Sequence, residues 1–231
     1  GGSESSGEGY LYSIDGGAWV NTTQAWDTTT LLDGSHDIVL RARDEAGHST
    51  TQELTLIVDN NAPVCAVNSP VSNEYVEGTY TFRMSATDSV GIDRVYINVF
   101  GANFTATFSG ASGYYEFTTD TSIRTDGNYT CKTIAYDDSG KMTESTAISF
   151  KIDNNAPLMT INGLQTGAYV DGNVTFNVSA SDTYLLDVSY SVDGGTWINI
   201  GNMWNTELLL DGGHNVVFRA RDMAGHEVLQ T

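Results

Sequence analysis

Between Thr81 and Thr87, apolar and polar side chains alternate one for one, with Phe82, Met84 and Ala86 set against Thr81, Arg83, Ser85 and Thr87. Phe176, Val178 and Ala180 repeat the apolar set 94 residues later. A period of two gives a strand one core face and one wet face. The same pattern predicts strands near 64–67, 81–87 and 94–100, two or three more through Thr119, then 126–135 and 145–152. Over 126–135 the inward positions are Tyr129, Cys131, Thr133 and Ala135. Corresponding segments place His36, Ile38, Leu40 and Ala42 there, and His214, Val216, Phe218 and Ala220. Asp-Gly, Asn-Gly and Gly-Gly turns separate these short runs, and the chain has only three prolines. The pattern predicts an all-β protein.

The alternation belongs to a longer repeat. Residues 12–53 return as 190–231, so that YSIDGGAW becomes YSVDGGTW and LLDGSHDIVLRARDEAGH becomes LLDGGHNVVFRARDMAGH. Two joints, Asp59-Asn60-Asn61-Ala62-Pro63 and Asp153-Asn154-Asn155-Ala156-Pro157, stand 94 apart. This spacing predicts a Gly/Ser/Glu leader over 1–9, a first module over 10–61 lacking its first two strands, a complete module over 62–155, and a third over 156–231 whose last strand is incomplete. Chains that repeat a folded unit end to end are usually stalks, spacers or sticky surfaces. An open sandwich also leaves edges to which a neighbouring module or another copy of the chain can add a strand.

Asp-Gly-Asn-Tyr-Thr-Cys (126–131) resembles the tyrosine corner of immunoglobulin-type sandwiches, with Tyr129 two residues before the Cys. Together with YSIDGGAW, DGSHDIVLRARDEAGH and IVDNNAP, it resembles the bacterial and archaeal Ig-like repeats of large cell-surface proteins, over Tyr10 to Thr231. The resemblance implies tandem immunoglobulin-like β-sandwiches in a family that hosts adhesion, spacing and filament-forming roles. Two departures stand out. His36 and His214 replace the corner Tyr, and Phe82 and Met84 occupy the strand where antibody-type domains carry their first Cys.

Charge narrows the partners. With 29 acids against 10 bases the net charge is −19, which repels nucleic acid and attracts divalent cations. No stretch reaches the ~18–20 apolar residues of a membrane-spanning helix. In an Ig-like sandwich the loops after the second and sixth strands lie at the pole where the chain enters. That gathers Asp59, Asn60 and Asn61 with Asp88 and Asp137 or Asp138 at the first joint, and Asp153, Asn154 and Asn155 with Asp182 and Asp222 at the second. Hard oxygens from separate loops suit Ca²⁺. The competing reading is a hydrogen-bonded hinge, since Asp and Asn are turn residues that bond their own backbone. The linker is also similar to the cadherin joint, although the acidic motifs that cadherins supply from the upstream module are missing.

Cys65 and Cys131 are the only cysteines, and both replace core residues. A bridge between them would close a loop of about 65 residues, worth roughly 4 kcal/mol; the alternative is two buried thiols. Acceptor motifs for N-glycans occur at Asn21, Asn103, Asn128, Asn173 and Asn177. His36, His214, His48 and His226 fall at repeat positions without zinc spacing. Recurrence of Trp19 with Trp197, and of Trp26 with Trp204, favours packing over sugar stacking. No nucleophile elbow, phosphate loop or dinucleotide fingerprint occurs. The sequence thus predicts a non-enzymatic extracellular repeat protein requiring no cofactor, with calcium as a candidate at the joints. It would serve as stalk, spacer or filament body. The contrasting expectation is an adhesin-type module that grips glycans or proteins through loop aromatics such as Tyr114 and Tyr115.

Overall fold

The structure, a computed structural model, describes residues 9–163 and 165–231. The leader expected over 1–9 lies, apart from Gly9, outside the described residues. Among those residues no helix is long and apolar enough to cross a membrane.

Strands β1 (Leu11–Ile14), β2 (Val20–Asn21), β3 (Gly34–Arg43) and β4 (Ser49–Val58) form one antiparallel sheet in the order β2-β1-β3-β4. At the end of β1, Asp15 and Gly16 both take positive φ (49° and 72°), and the Gly17 N–H closes the turn on the Ile14 carbonyl at 2.8 Å. Two consecutive left-handed residues make the tight turn that matches strand twist.

The middle unit comprises β5 (Val64–Ser69), β6 (Tyr75–Val76), β7 (Thr79–Thr87), β8 (Ile92–Val99), β9 (Ala102–Ser109), β10 (Tyr114–Asp120), β11 (Gly127–Asp137), β12 (Met142–Glu144) and β13 (Ile148–Ile152). One layer is β5-β7-β10, and the other carries β8, β11, β13 and β6, with β12 also on β11. Strand β9 belongs to both, pairing with β8 through residues 102–106 and with β10 through 107–109. Phe82, Met84, Val95, Ile97, Phe150 and Ile152 are sealed between the layers. The last strand, expected as one run over 145–152, begins only at Ile148 as β13, and β12 is a separate short strand ending at Glu144. Ser145 breaks the run: its hydroxyl accepts the Thr133 N–H at 2.9 Å, and its own N–H bonds the Thr133 carbonyl at 2.9 Å.

The third unit holds β14 (Leu158–Asn162), β15 (Asn173–Val174), β16 (Asn177–Ser181), β17 (Leu185–Val192), β18 (Ile198–Asn199), β19 (Trp204–Asn205), β20 (Val216–Asp222) and β21 (Glu227–Gln230). Its main sheet, β18-β17-β20-β21, repeats the order of the first. Here Met159 and Phe176, from the β14/β16 side, cover Tyr190, Phe218 and Ala220. In the first unit no described strand pair covers the matching face, so Leu40 is 39% exposed where its counterpart Phe218 is 5% exposed.

A correction concerns the cysteines, which are both free. Cys65 on β5 lies over the next inward position of β11, its Sγ 3.8 Å from the Thr133 carbonyl and 3.5 Å from that of Thr143. Cys131 sits a pair further along, beside Val99 and Ile148. Cys65 Sγ therefore meets backbone carbonyls, while Cys131 is packed among the core side chains. Burial pushes Cys131 up to about 12 and raises Cys65 too, leaving both as inert thiols.

Candidate functional site at the module joints

Each joint is fastened by the same six-atom pattern. At the first, Asp33 accepts the Asn60 N–H at 2.7 Å and the Asn61 side-chain amide at 2.7 Å. The Asn60 amide donates to the Thr28 carbonyl at 2.8 Å. At the second, Asp126 accepts from the Asn154 N–H at 2.8 Å and from Asn155 at 2.7 Å, and Asn154 donates to the Thr121 carbonyl at 3.0 Å. Asp33 and Asp126 occupy the Asp-Gly turns that begin β3 and β11, so each linker is locked back onto the unit it leaves. The bonds from Asn60 and then Asn61 hold the Asp33 carboxyl below its ordinary range.

In the clamp the side-chain N–H groups of Asn60 and Asn154 donate to the Thr28 and Thr121 carbonyls, and those of Asn61 and Asn155 to Asp33 and Asp126. Neighbouring side chains of an extended segment point opposite ways, and Asp59 and Asp153 face forward. Asp59 meets Asp88 and Asp137, with one carboxylate oxygen of each lying within 4.8 Å of the others. Asp153 meets Asp222 and His226 within the same limit. Asp182 sends one oxygen to the Tyr184 N–H at 2.7 Å, and its charge is among those acting on Asp153. Of the two acids offered for the first joint, the structure selects Asp137 over Asp138.

The clusters are buried and incompletely satisfied. Asp137, Asp153 and Asp222 are 1%, 0% and 1% exposed. Each of the outer acids spends one oxygen on its own turn: Asp88 on Val90 N–H, Asp137 on Ser139 and Lys141 N–H, Asp222 on Gly225 and His226 N–H. Asp59 Oδ2, Asp137 Oδ2 and both oxygens of Asp153 have no hydrogen-bond partner. Burial, followed by the charges of Asp182, Asp222 and Asp126, pushes Asp153 up to about 6.

The sequence reading missed two members. Lys141 reaches the Asp59 carbonyl and, at 3.2 Å, its Oδ1. His226 places Nδ1 2.7 Å from Asp222 and Nε2 2.6 Å from Glu77, so it spans the second joint. Their common signal is Asp-x-x-Gly-His/Lys, present at 44–48, 137–141 and 222–226.

Other candidates fall elsewhere. Tyr129 donates to the Thr125 carbonyl at 2.8 Å, as a tyrosine corner does. His36 and His214 bond the equivalent carbonyls of Leu32 and Leu210 through Nε2, at 2.8 and 2.9 Å, so the corner survives with imidazole in place of phenol. Each Nδ1 meets the turn carboxylate of Asp15 or Asp193 at 2.7 and 2.6 Å. Both ring nitrogens therefore donate, which favours imidazolium. The carboxylate bond, then the carbonyl, raises both histidines above 6.5, while the same bond lowers Asp15 and Asp193. A raised folded value stabilises fully below about pH 6.5 and is lost as pH rises through it. Thermal melting followed by Trp fluorescence is accordingly expected to shift downward as pH rises above about 6.5, less steeply in the His36→Tyr, His214→Tyr double variant.

Arg41 covers one face of the Trp19 ring at 3.9 Å and Arg219 one face of Trp197 at 4.1 Å. Tyr114 and Tyr115 are half-buried strand residues of β10 rather than loop tips, and Tyr115 packs edge-on against Phe108. The five glycan-acceptor asparagines, at 21, 103, 128, 173 and 177, are all exposed.

A family model described as a bacterial Ig domain matches residues 63–132, from β5 into β11. The fold is that of tandem Ig-like β-sandwiches, and the matched segment of the middle unit is similar to a bacterial Ig domain. No curated protein matches the chain. Among solved structures it is similar to the fibronectin(III)-like modules of CbhA from Clostridium thermocellum, at 15% identity over 72% of this chain and 90% of that one, TM-score 0.44. It is similar to a 1.5-MDa bacterial ice-binding adhesin at 20% identity, over 95% and 82% of the two chains, TM-score 0.41. A Ca²⁺-stabilized adhesin of an Antarctic bacterium gives 18% identity over 97% of this chain and 64% of that one, TM-score 0.39.

Proposed function

We propose that this chain is a non-enzymatic stretch of an extracellular bacterial surface protein, in which Ig-like units over 10–61, 62–155 and 156–231 act as a stalk, spacer or filament body. The observation that carries the reading is the duplicated clamp, Asp33 on Asn60/Asn61 and Asp126 on Asn154/Asn155. Relative motion is the default where units meet over a small area. A clamp repeated bond for bond stiffens each linker against the unit it leaves, which supports a task in which the direction of the next unit matters.

Calcium completes this reading. The carboxylates of Asp59, Asp88 and Asp137, and of Asp153, Asp182 and Asp222, offer the hard oxygens that Ca²⁺ prefers. The unpartnered oxygens of buried Asp153 fit a cation, because a buried charge without a partner is costly. Titration calorimetry with CaCl₂ should show binding in the range of about 10⁻⁴–10⁻³ M typical of extracellular modules. Saturation should raise the melting temperature, by an amount equivalent to about 2.7 kcal/mol at a hundredfold excess over Kd. Absence of heat, with the same melting temperature in EDTA, would remove calcium from the account and leave the clamp.

A second reading concerns partners. The uncovered face around Leu40 and Leu56 supports docking of a strand pair patterned like β14 and β16, from a neighbouring module or another copy, since that pair covers the equivalent face of the third unit.

A further inference from the structure

The two joints are built on one plan but differ in the residue that ends the turn after β11 or β20. We infer that this residue decides which joint takes a divalent cation: Lys141 supplies the first joint with its own cation, and His226 leaves the second dependent on an external one. The inference rests on the calcium reading above and adds to it the selectivity between two otherwise equivalent sites.

At the first joint the Lys141 ammonium donates to the Asp59 carbonyl and to Asp59 Oδ1, and is steadied by Ser139 Oγ at 2.6 Å. Two oxygens that an ion would need are thereby taken by a fixed positive charge. Asp137 also has one oxygen committed, to the Ser139 and Lys141 N–H groups.

At the second joint no cationic side chain donates a hydrogen bond to Asp153. The His226 ring comes within 4.8 Å of it but spends its two nitrogens on Asp222 and on Glu77 of the middle unit. Asp153 is fully buried, its two oxygens have no hydrogen-bond partner, and Asp222 lies within 4.8 Å of it. A buried carboxylate with both oxygens open, beside a second buried carboxylate, is the half-built shell of a cation that brings its own charge. Holding Glu77, the imidazole braces the two units beside the site.

The test is a residue exchange read by calcium stoichiometry. Titration calorimetry of the full chain with CaCl₂ alone should give one ion for the wild type. Lys141→His should give two, and Lys141→Gln, which removes the charge while keeping a polar side chain, should also give two. His226→Lys should give none, or bind at least a hundredfold more weakly. Circular dichroism spectra matching the wild type would show that each variant is folded. Wild-type protein that binds no calcium would overturn both this inference and the calcium reading. Two ions in the wild type, no gain in either Lys141 variant, or undiminished binding in His226→Lys would overturn this inference alone.

Discussion

Replacing Phe82 with alanine is expected to cost the middle unit about 3–5 kcal/mol, the range for removing a large aromatic side chain from a packed core. Its ring is 0% exposed and touches both layers, with Phe117 on one side and Phe100 and Phe150 on the other, at centroid distances of 6.2, 6.2 and 5.6 Å. No smaller neighbour can close the gap from one layer without opening the other. The chain supplies its own reporters, because all four tryptophans, at 19, 26, 197 and 204, lie in the outer units. In urea, the far-ultraviolet dichroism of Phe82→Ala should gain an early transition while the tryptophan fluorescence midpoint stays put. Movement of both signals in step would mean that the three units unfold as one.

The second large effect is expected at the clamp. Asp126 accepts two bonds as a charged group, and such bonds contribute about 1.5–3 kcal/mol each when protected from water. The Asn154 backbone is only partly buried, and removing Asp126 also relieves one of the charges acting on Asp153. Both considerations place the loss in Asp126→Ala near 2 kcal/mol. That corresponds to roughly a 30-fold faster hydrogen exchange at the Asn154 amide, with amides in β7 and β11 unchanged. Asp126→Asn should recover part of the protection, since one amide oxygen can still accept. Equal exchange in wild type and Asp126→Ala would show that the bond does not hold the linker.

Strand alternation made the layers legible: Phe82, Met84, Phe176 and Phe218 are buried where a period of two places them. The repeat made the poles legible too, which is why Asp59, Asp88 and Asp137 could be grouped from sequence, and likewise Asp153 and Asp222. Other features depend on angles that no pattern encodes. Cys65 and Cys131 both point inward, but only the crossing of β5 over β11 determines that Thr133 lies between them. The linker asparagines suit either an ion or a hinge by sequence, and only the orientation of their amides shows Asn61 and Asn155 donating to Asp33 and Asp126, and Asn60 and Asn154 to Thr28 and Thr121. His226 looked like a turn residue because its partner Glu77 is 149 positions away. The histidine corner shows a function kept while the side chain changed, since the geometry needs a donor aimed at the carbonyl four residues back and phenol and imidazole both supply one.

Amide ¹⁵N relaxation on the full chain tests the locked joint most directly. Strands β7, β8 and β11 of the middle unit and β17 and β20 of the third should report one shared rotational correlation time in the wild type, shortening in Asp126→Ala as the units decouple. Separate, shorter times for the two sets of strands in the wild-type protein would contradict a rigid joint, and with it the case for a spacer.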